Sequence, residues 1–295
     1  LFKVLKNNLL VMEKIGFIGL GIMGKPMALN LIKAGYQVNV LSASNASGIL
    51  KEAGASLIDN IEELSKHSDI IITMLPDSPE VKNVVSEVLD GINSGSLFID
   101  MSTISPAVSL EIFTSMKDKG VSALDAPVSG GQVGAEAGSL SIMVGGDEPS
   151  FNRALPIFQA LGKNIVLIGK PGAGQVTKAC NQMIVGITIQ AVSEAFSLAK
   201  KAGVNLPKMR EVLLGGFAQS RILDLHGQRI IDKNFVPGFK VKLHKKDMGI
   251  ALQTGNEHHV SLKATALVAE LMSQLVNNGF GDLDHSSLAL LQEEK

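Results

Sequence analysis

Apolar runs of four to eight residues alternate with longer stretches that repeat their apolar positions every three or four residues. "KIGFIGL" (14–20), "QVNVLS" (37–42), "DIIITMLP" (69–76), "SLFIDMS" (96–102) and "SALDAPV" (122–128) read as strands, and "SIMVGG" (141–146) and "NIVLIG" (164–169) continue the series. Between them, "KPMALNLIKAG" and "PAVSLEIFTSMKDKG" read as helices that stop at glycine. Strand, helix, strand, repeated, predicts an α/β Rossmann-type doubly wound parallel sheet. Its strands are apolar on both faces because helices are to cover both.

After "KPGAG" (170–174) the period-two pattern stops. "QVTKACNQMIVGITIQAVSEAFSLAKKAG" reads as one long helix, apolar nearly all round, ended by Gly203. Such a helix is buried, here as the spine of an all-helical domain, and a partner subunit can share it. Lys178, Asn181, Gln182, Gln190 and Glu194 interrupt it, which argues against a membrane span. "NLPKMREVLL", "KKDMGIALQTGNEH" and "SLKATALVAELMSQLVNNG" supply further helices. The expected division is a sheet domain over 12–174 and an all-α domain over 175–295. Residues 1–11, "LFKVLKNNLLV", read as an extension ahead of Met12, either an over-long start assignment or a true tail. Intact mass of the native protein separates the two.

The 295 residues are enough for two domains, and 45% hydrophobic against 19% charged residues supports sizeable cores. A formal net charge of -1 offers no basic field for nucleic acid or an anionic membrane. A single cysteine, Cys180, precludes an intrachain disulfide, fits the cytoplasm and is expected to pack in the core. The six histidines show no metal-ligand spacing, so no metal is expected.

Candidate chemistry begins after the first strand. Gly19-Leu20-Gly21-Ile22-Met23-Gly24 is a G-x-G-x-x-G between a strand and a helix. In that context it predicts dinucleotide binding: a tight turn, close approach of backbone to a pyrophosphate, and close helix–strand packing. The second strand ends in Ser42-Ala43-Ser44-Asn45, with neither the acid that bonds a ribose 2′-hydroxyl nor an arginine for a 2′-phosphate. The cofactor reading is therefore NAD(P), with a slight lean to NADP through the hydroxyls of Ser42 and Ser44.

Three later patches can serve a substrate. Ser129-Gly130-Gly131 follows a strand end and is either a plain turn or a nest of N–H groups suited to a carboxylate. Lys178 and Asn181 share a helix face. Lys178 is either a helix-start lysine reaching water or a general acid oriented by Asn181. Lys245-Lys246-Asp247 is either a solvated charge run or the source of a second ammonium that lowers the pKa of Lys178.

"GFIGLGIMGKPMALNL", "DMSTISP", "DAPVSGG", "GAGQVTKACNQ" and "LHKKDMG", in that order, resemble the β-hydroxyacid dehydrogenase family from about Met12 to the C-terminal end. The resemblance implies a Rossmann domain, an all-helical domain and an active site in the cleft between them. It implies Lys178 as the catalytic residue and Ser129, Gly130, Gly131, Asn181 and Lys246 as substrate contacts. Beyond the glycine loop and Ser42 and Ser44, it implies cofactor contacts at Met74, Leu75, Pro76, Ser102, Thr103, Lys246 and Asp247. Gln182 departs from the second asparagine of many members, and the Ser-Ala-Ser at 42–44 departs at the ribose corner. His244 after leucine and His285 in "DHSSLALL" are similar to the members that reduce tartronate semialdehyde, rather than to hydroxyisobutyrate dehydrogenases. A small carboxylate-bearing aldehyde or β-hydroxyacid is the implied substrate, and a homodimer or homotetramer the implied assembly. Reduction of glyoxylate or succinic semialdehyde, action on 3-hydroxyisobutyrate, imine reduction and a non-catalytic dinucleotide-binding module remain alternatives. Lys178 argues against the last two, because imine reductases and the non-catalytic relatives usually lack that lysine.

Overall fold

The computed structural model describes residues 13–292, so the expected extension at 1–11 lies outside the described residues. By its internal contacts the chain divides into two compact units. The first holds the chain up to Ser102, then Ala107–Gly130 and Gly134–Gly174. The second holds Thr103–Pro106, Gly131–Val133 and the chain from Gln175 onward.

In the sheet unit the elements run β1 (Ile15–Ile18), α1 (Gly24–Lys33), β2 (Val38–Leu41), α2 (Ser47–Glu52), β3 (Ser56–Ile58), α3 (Ile61–Lys66), β4 (Ile70–Thr73), α4 (Ser78–Gly91) and β5 (Leu97–Asp100). They continue with α5 (Pro106–Asp118), β6 (Ser122–Asp125), β7 (Val128–Ser129), α6 (Gly131–Glu136), β8 (Leu140–Gly145), α7 (Glu148–Leu161) and β9 (Gly162–Gly169). The strand order is β3-β2-β1-β4-β5-β6-β8, with β7 and β9 also paired to β8. β1 and β4 lie side by side and parallel, and the order of strand addition reverses between them, which makes this the switch point where open α/β sheets take their ligands. Every residue of β1, β4 and β5 is buried, as apolar strands covered on both faces require. Phe17, Ile70, Ile72, Leu97 and Ile99 pack with Met27 and Leu31 of α1. Each such side chain is worth about 1.5–3 kcal/mol when fully removed from water.

Two sheet expectations need correction. The sheet is not wholly parallel, because β8 runs antiparallel to β6 and β7. Asp125, Val128 and Ser129 pair with Gly145, Ile142 and Ser141 in one continuous register, and Met143 N donates to Pro127 O. The stretch 122–129 is thus one strand line interrupted at Pro127, which has no N–H to give. The short strand β3 also escapes the hydrophobic pattern.

The helical unit contains α8 (Ala173–Lys201), α9 (Leu206–Leu214), α10 (Arg221–Ile231), α11 (Val241–Glu257), α12 (Lys263–Asn277) and a closing 3₁₀ helix, His285–Gln292. Its main core joins Ile189, Val241, Met248, Val268, Met272, Leu275 and Leu288. By length and composition alone α8 could cross a membrane, yet it buries Gln175, Lys178, Gln182, Gln190 and Ser193. Two expectations change. Ile184 and Leu198 on α8 are exposed at 67% and 72%, so this unit does not bury the helix all round. Cys180 is exposed rather than packed in a core.

Candidate active site

The nucleotide corner is built at the carboxyl ends of β1, β2 and β4. Gly19 takes φ 100, which a side chain rarely adopts, and a Cβ there would strike Met74 O. A Cβ on Gly24 would strike Gly19 O, so only glycine lets α1 start this close to the loop. A Cβ on Gly21 would meet nothing within 4 Å. Gly21 therefore faces open space beside the start of α1, a cradle that suits a diphosphate against helix N–H groups. Leu20, Ile22 and Met23 complete the loop, and Ile22 is 52% exposed.

The neighbouring loops are tied to this corner by hydrogen bonds. Met74 N donates to Ile18 O at 2.9 Å, and Leu75 N donates to Ser102 Oγ at 2.9 Å. Asp100, which sequence reasoning passed over, holds both loops. Its Oδ1 accepts from Thr73 Oγ1 at 2.8 Å and from Ser102 N at 3.1 Å. Burial pushes its pKa up, the bonds from Ser102 and Thr73 oppose that, and the nearby Asp125 adds to it. Ser42 and Ser44 stand at the end of β2, while Pro76 leads from Leu75 toward α4.

A second cluster lies in the helical unit. Lys178, in the second turn of α8, is only 6% exposed. Among the described residues its Nζ makes no hydrogen bond or ion pair. Its pKa falls to about 8, first through burial; Asp247 opposes the fall and Lys246 adds to it. Desolvation rather than the second ammonium is thus the main cause. Lys246 Nζ donates to Thr103 O at 2.5 Å and lies 2.9 Å from Asp247 Oδ1. Gln182 Nε2 donates to Asp247 Oδ2 at 2.5 Å, and Asn181 Nδ2 donates to Gln182 Oε1 at 2.8 Å. Gln182 therefore fills its place with a bond to the buried carboxylate. The charge run at 245–247 lies within α11, as expected, but it is not a solvated run: Asp247 is turned inward and Lys246 is half-buried.

Of the expected carboxylate loop, Ser129 and Gly130 group with the sheet unit and Gly131 with the helical unit. Gly130 and Gly131 have φ 138 and 61, successive backbone states that other residues rarely adopt.

Behind Gln182 runs a chain of imidazoles that residue spacing did not reveal. His244 Nε2 lies 3.0 Å from Gln182 O, His244 Nδ1 lies 2.9 Å from His285 Nδ1, and His285 Nε2 lies 3.2 Å from His226 Nε2. A carbonyl only accepts, so His244 carries its proton on Nε2 and accepts at Nδ1 from His285. His285 in turn accepts at Nε2 from His226. Burial lowers the pKa of His244 and of His285, the latter strongly. His226, Asp284 and His285 bring possible metal-ligand atoms within 4.8 Å of one another, a cluster that folding alone creates. Asp284 already accepts from Gly238 N, Phe239 N, Ser286 N and Ser286 Oγ, with Arg229 at 3.6 Å. These donors and the adjacent guanidinium favour a hydrogen-bonded anchor over a cation site.

Comparison with known proteins agrees with both halves. Residues 14–169 match the NAD-binding domain of 6-phosphogluconate dehydrogenase, and residues 172–291 match the NAD-binding family of NADP-dependent 3-hydroxyisobutyrate dehydrogenase. The chain is 46% identical to 2-hydroxy-3-oxopropionate reductase of Escherichia coli over 93% of this chain and 95% of that protein. It is 35% identical to 3-hydroxyisobutyrate dehydrogenase of Pseudomonas aeruginosa over 94% and 96%. Among solved structures, 3-hydroxyisobutyrate dehydrogenase of Mycobacterium tuberculosis with L-serine superposes with a TM-score of 0.88 at 32% identity, covering 95% of this chain and 99% of that one. With a dinucleotide cradle on the sheet unit and matches along nearly its whole length, the chain belongs to the β-hydroxyacid dehydrogenase family and is an NAD(P)-dependent oxidoreductase acting on CH–OH groups.

Proposed function

We propose that this enzyme reduces tartronate semialdehyde (2-hydroxy-3-oxopropanoate) to D-glycerate, reversibly, with Lys178 as the proton donor. The observation that carries the chemistry is the buried Lys178, whose pKa of about 8 lets it hold a proton at neutrality and release it readily. The choice of substrate rests on the 46% identity to the Escherichia coli reductase.

Gly19 to Gly24 of the sheet unit, with Ser42, Ser44, Met74, Leu75 and Pro76, would hold NAD(P)H, and the family resemblance adds Thr103, Lys246 and Asp247 as contacts; the group would supply the hydride for the aldehyde carbon. The amides of Ser129, Gly130 and Gly131 bind the substrate carboxylate. Asn181 and Lys246 orient the carbonyl, and Lys178 gives its proton to the alkoxide oxygen as the C–H bond forms. In the reverse direction the neutral amine takes that proton back. The sheet unit serves as the nucleotide domain and the helical unit, which also takes in Thr103–Pro106 and Gly131–Val133, as the substrate domain. Exposed Ile184 and Leu198 on the helical unit suit assembly into a homodimer or homotetramer. The lone cysteine suits the cytoplasm.

The test is kcat/KM for tartronate semialdehyde beside glyoxylate, succinic semialdehyde and methylmalonate semialdehyde, each with NADH and NADPH. Tartronate semialdehyde is expected to win. A win for any other aldehyde moves the enzyme to that branch of the family, and methylmalonate semialdehyde would favour the 3-hydroxyisobutyrate reading. Lys178→Ala should lower kcat by about a thousandfold, within the range general acid catalysis commonly supplies. It should leave NADH binding nearly intact. Retained turnover would remove Lys178 from the mechanism.

A further inference from the structure

The end of β2 carries no acid, yet the fold brings one to it. Strands β2 and β3 are parallel, with Leu41 opposite Ile58, so the next residues, Ser42 and Asp59, leave the sheet edge side by side. Ser42 N donates to Ile58 O at 2.8 Å, which fixes that register to its last step. Ser42 Oγ then donates to Asp59 Oδ1 at 3.0 Å. Asp59 is exposed, and among the described residues no cation pairs with it.

We propose that Asp59, presented from β3 beside Ser42, reads the adenosine ribose and discriminates against a 2′-phosphate. The proposal rests on the nucleotide reading of the β1–α1 corner.

A hydroxyl has one hydrogen to give, and Ser42 has given its hydrogen to the carboxylate. The Ser44 hydroxyl is turned to the main chain, accepting from Ala46 N at 3.4 Å. Ser42 is therefore no ready donor to a phosphate, and Ser44, which keeps its hydrogen, is the one hydroxyl of the pair left to give. A ribose 2′-hydroxyl can donate to the remaining oxygen of Asp59, whereas a 2′-phosphate brings a second negative charge to it. In dinucleotide-binding sheets an acid at this edge has that effect when it stands on β2. Here the neighbouring strand supplies it, on the residue directly after a strand of three residues too short to stand out in the sequence. The absence of an acid at 42–45 leaned the sequence reading toward NADP; the Ser42–Asp59 pair favours NAD.

The experiment is fluorescence titration of the substrate-free, full-length protein with NADH and with NADPH. The wild type should bind NADH more tightly. Asp59→Asn keeps an oxygen for Ser42 and removes the charge, and should shift the ratio toward NADPH by about tenfold, in line with the cost of like charges placed together. Ser42→Ala keeps the charge and should keep the discrimination. The wild-type preference should shrink as salt rises, a measurement that needs no variant. An unchanged ratio in Asp59→Asn, or a wild-type ratio indifferent to salt, overturns the proposal alone. Failure of the wild type to bind either dinucleotide overturns the nucleotide reading and the proposal with it. No aldehyde is used, so an error in the substrate assignment does not affect the outcome.

Discussion

Lys178 holds its charge where water is nearly excluded, and its two charged neighbours pull its proton affinity in opposite directions. Carbonyl reduction needs the ammonium, so kcat in that direction should fall as pH rises through about 8, while alcohol oxidation should rise over the same range. Lys246→Gln removes a repelling charge, so the amine keeps its proton longer and the limb moves to higher pH. Asp247→Asn removes a supporting charge and moves it lower. Opposite displacements in the pH–kcat profiles are the expected result, and a common direction would contradict the electrostatic account. Lys178 and Asn181 were legible because both lie on one helix turn. The bond from Gln182 to Asp247 spans 65 residues and the contact of His244 with His285 spans 41, separations no local spacing reveals.

At the scale of elements, the β1–α1 corner separates the two uses of glycine. Gly24→Ala places a methyl against Gly19 O and should lower Tm together with dinucleotide affinity. Gly21→Ala meets nothing in the protein, so Tm should stay near that of the wild type while NADH binding weakens. Thermal melts read beside fluorescence titrations check both, and a large fall in Tm for Gly21→Ala would refute the cradle. The long periodic elements were legible, but α10 was not. Gly227 sits in its middle and reads as a breaker, whereas in the fold a Cβ there would lie 3.4 Å from Phe196 Cζ. That is ordinary contact distance, so α10 passes α8 at Gly227 without needing a glycine for space. The reversal of β8 was also hidden, because the turn at Pro127 carries the same strand line onward without marking which way the next strand runs.

For the molecule as a whole, the buried titrating groups give the two units different responses to acid. His244 and His285 have folded pKa values below the ordinary 6.5, so the unfolded chain takes up their protons first. The stability they support is complete above about 6.5 and drains as pH falls. Asp284 acts in the same direction further down, since its folded pKa lies below the ordinary 3.8. Asp100 in the sheet unit has the opposite sign. Its folded pKa is raised, so the folded state holds its proton more firmly and mild acid favours the fold. Calorimetry from pH 7.5 down to 5 should show the helical unit losing Tm faster than the sheet unit. His285→Gln should flatten that slope, and a slope indifferent to the substitution would remove the imidazole chain from the explanation. The two-domain division was visible where the period-two pattern stops, but this electrostatic asymmetry required knowing which polar groups folding buries.

The burial of Lys178 has a consequence in reactivity. An amine that is partly uncharged near pH 8 is a nucleophile as well as an acid. Facing an aldehyde, it can add to the same carbon that is meant to receive hydride and expel water to form an imine. Only the charged form is immune to this side reaction. The shift that makes the proton easy to give therefore also sets the alkaline boundary beyond which such an enzyme becomes vulnerable to its own substrate.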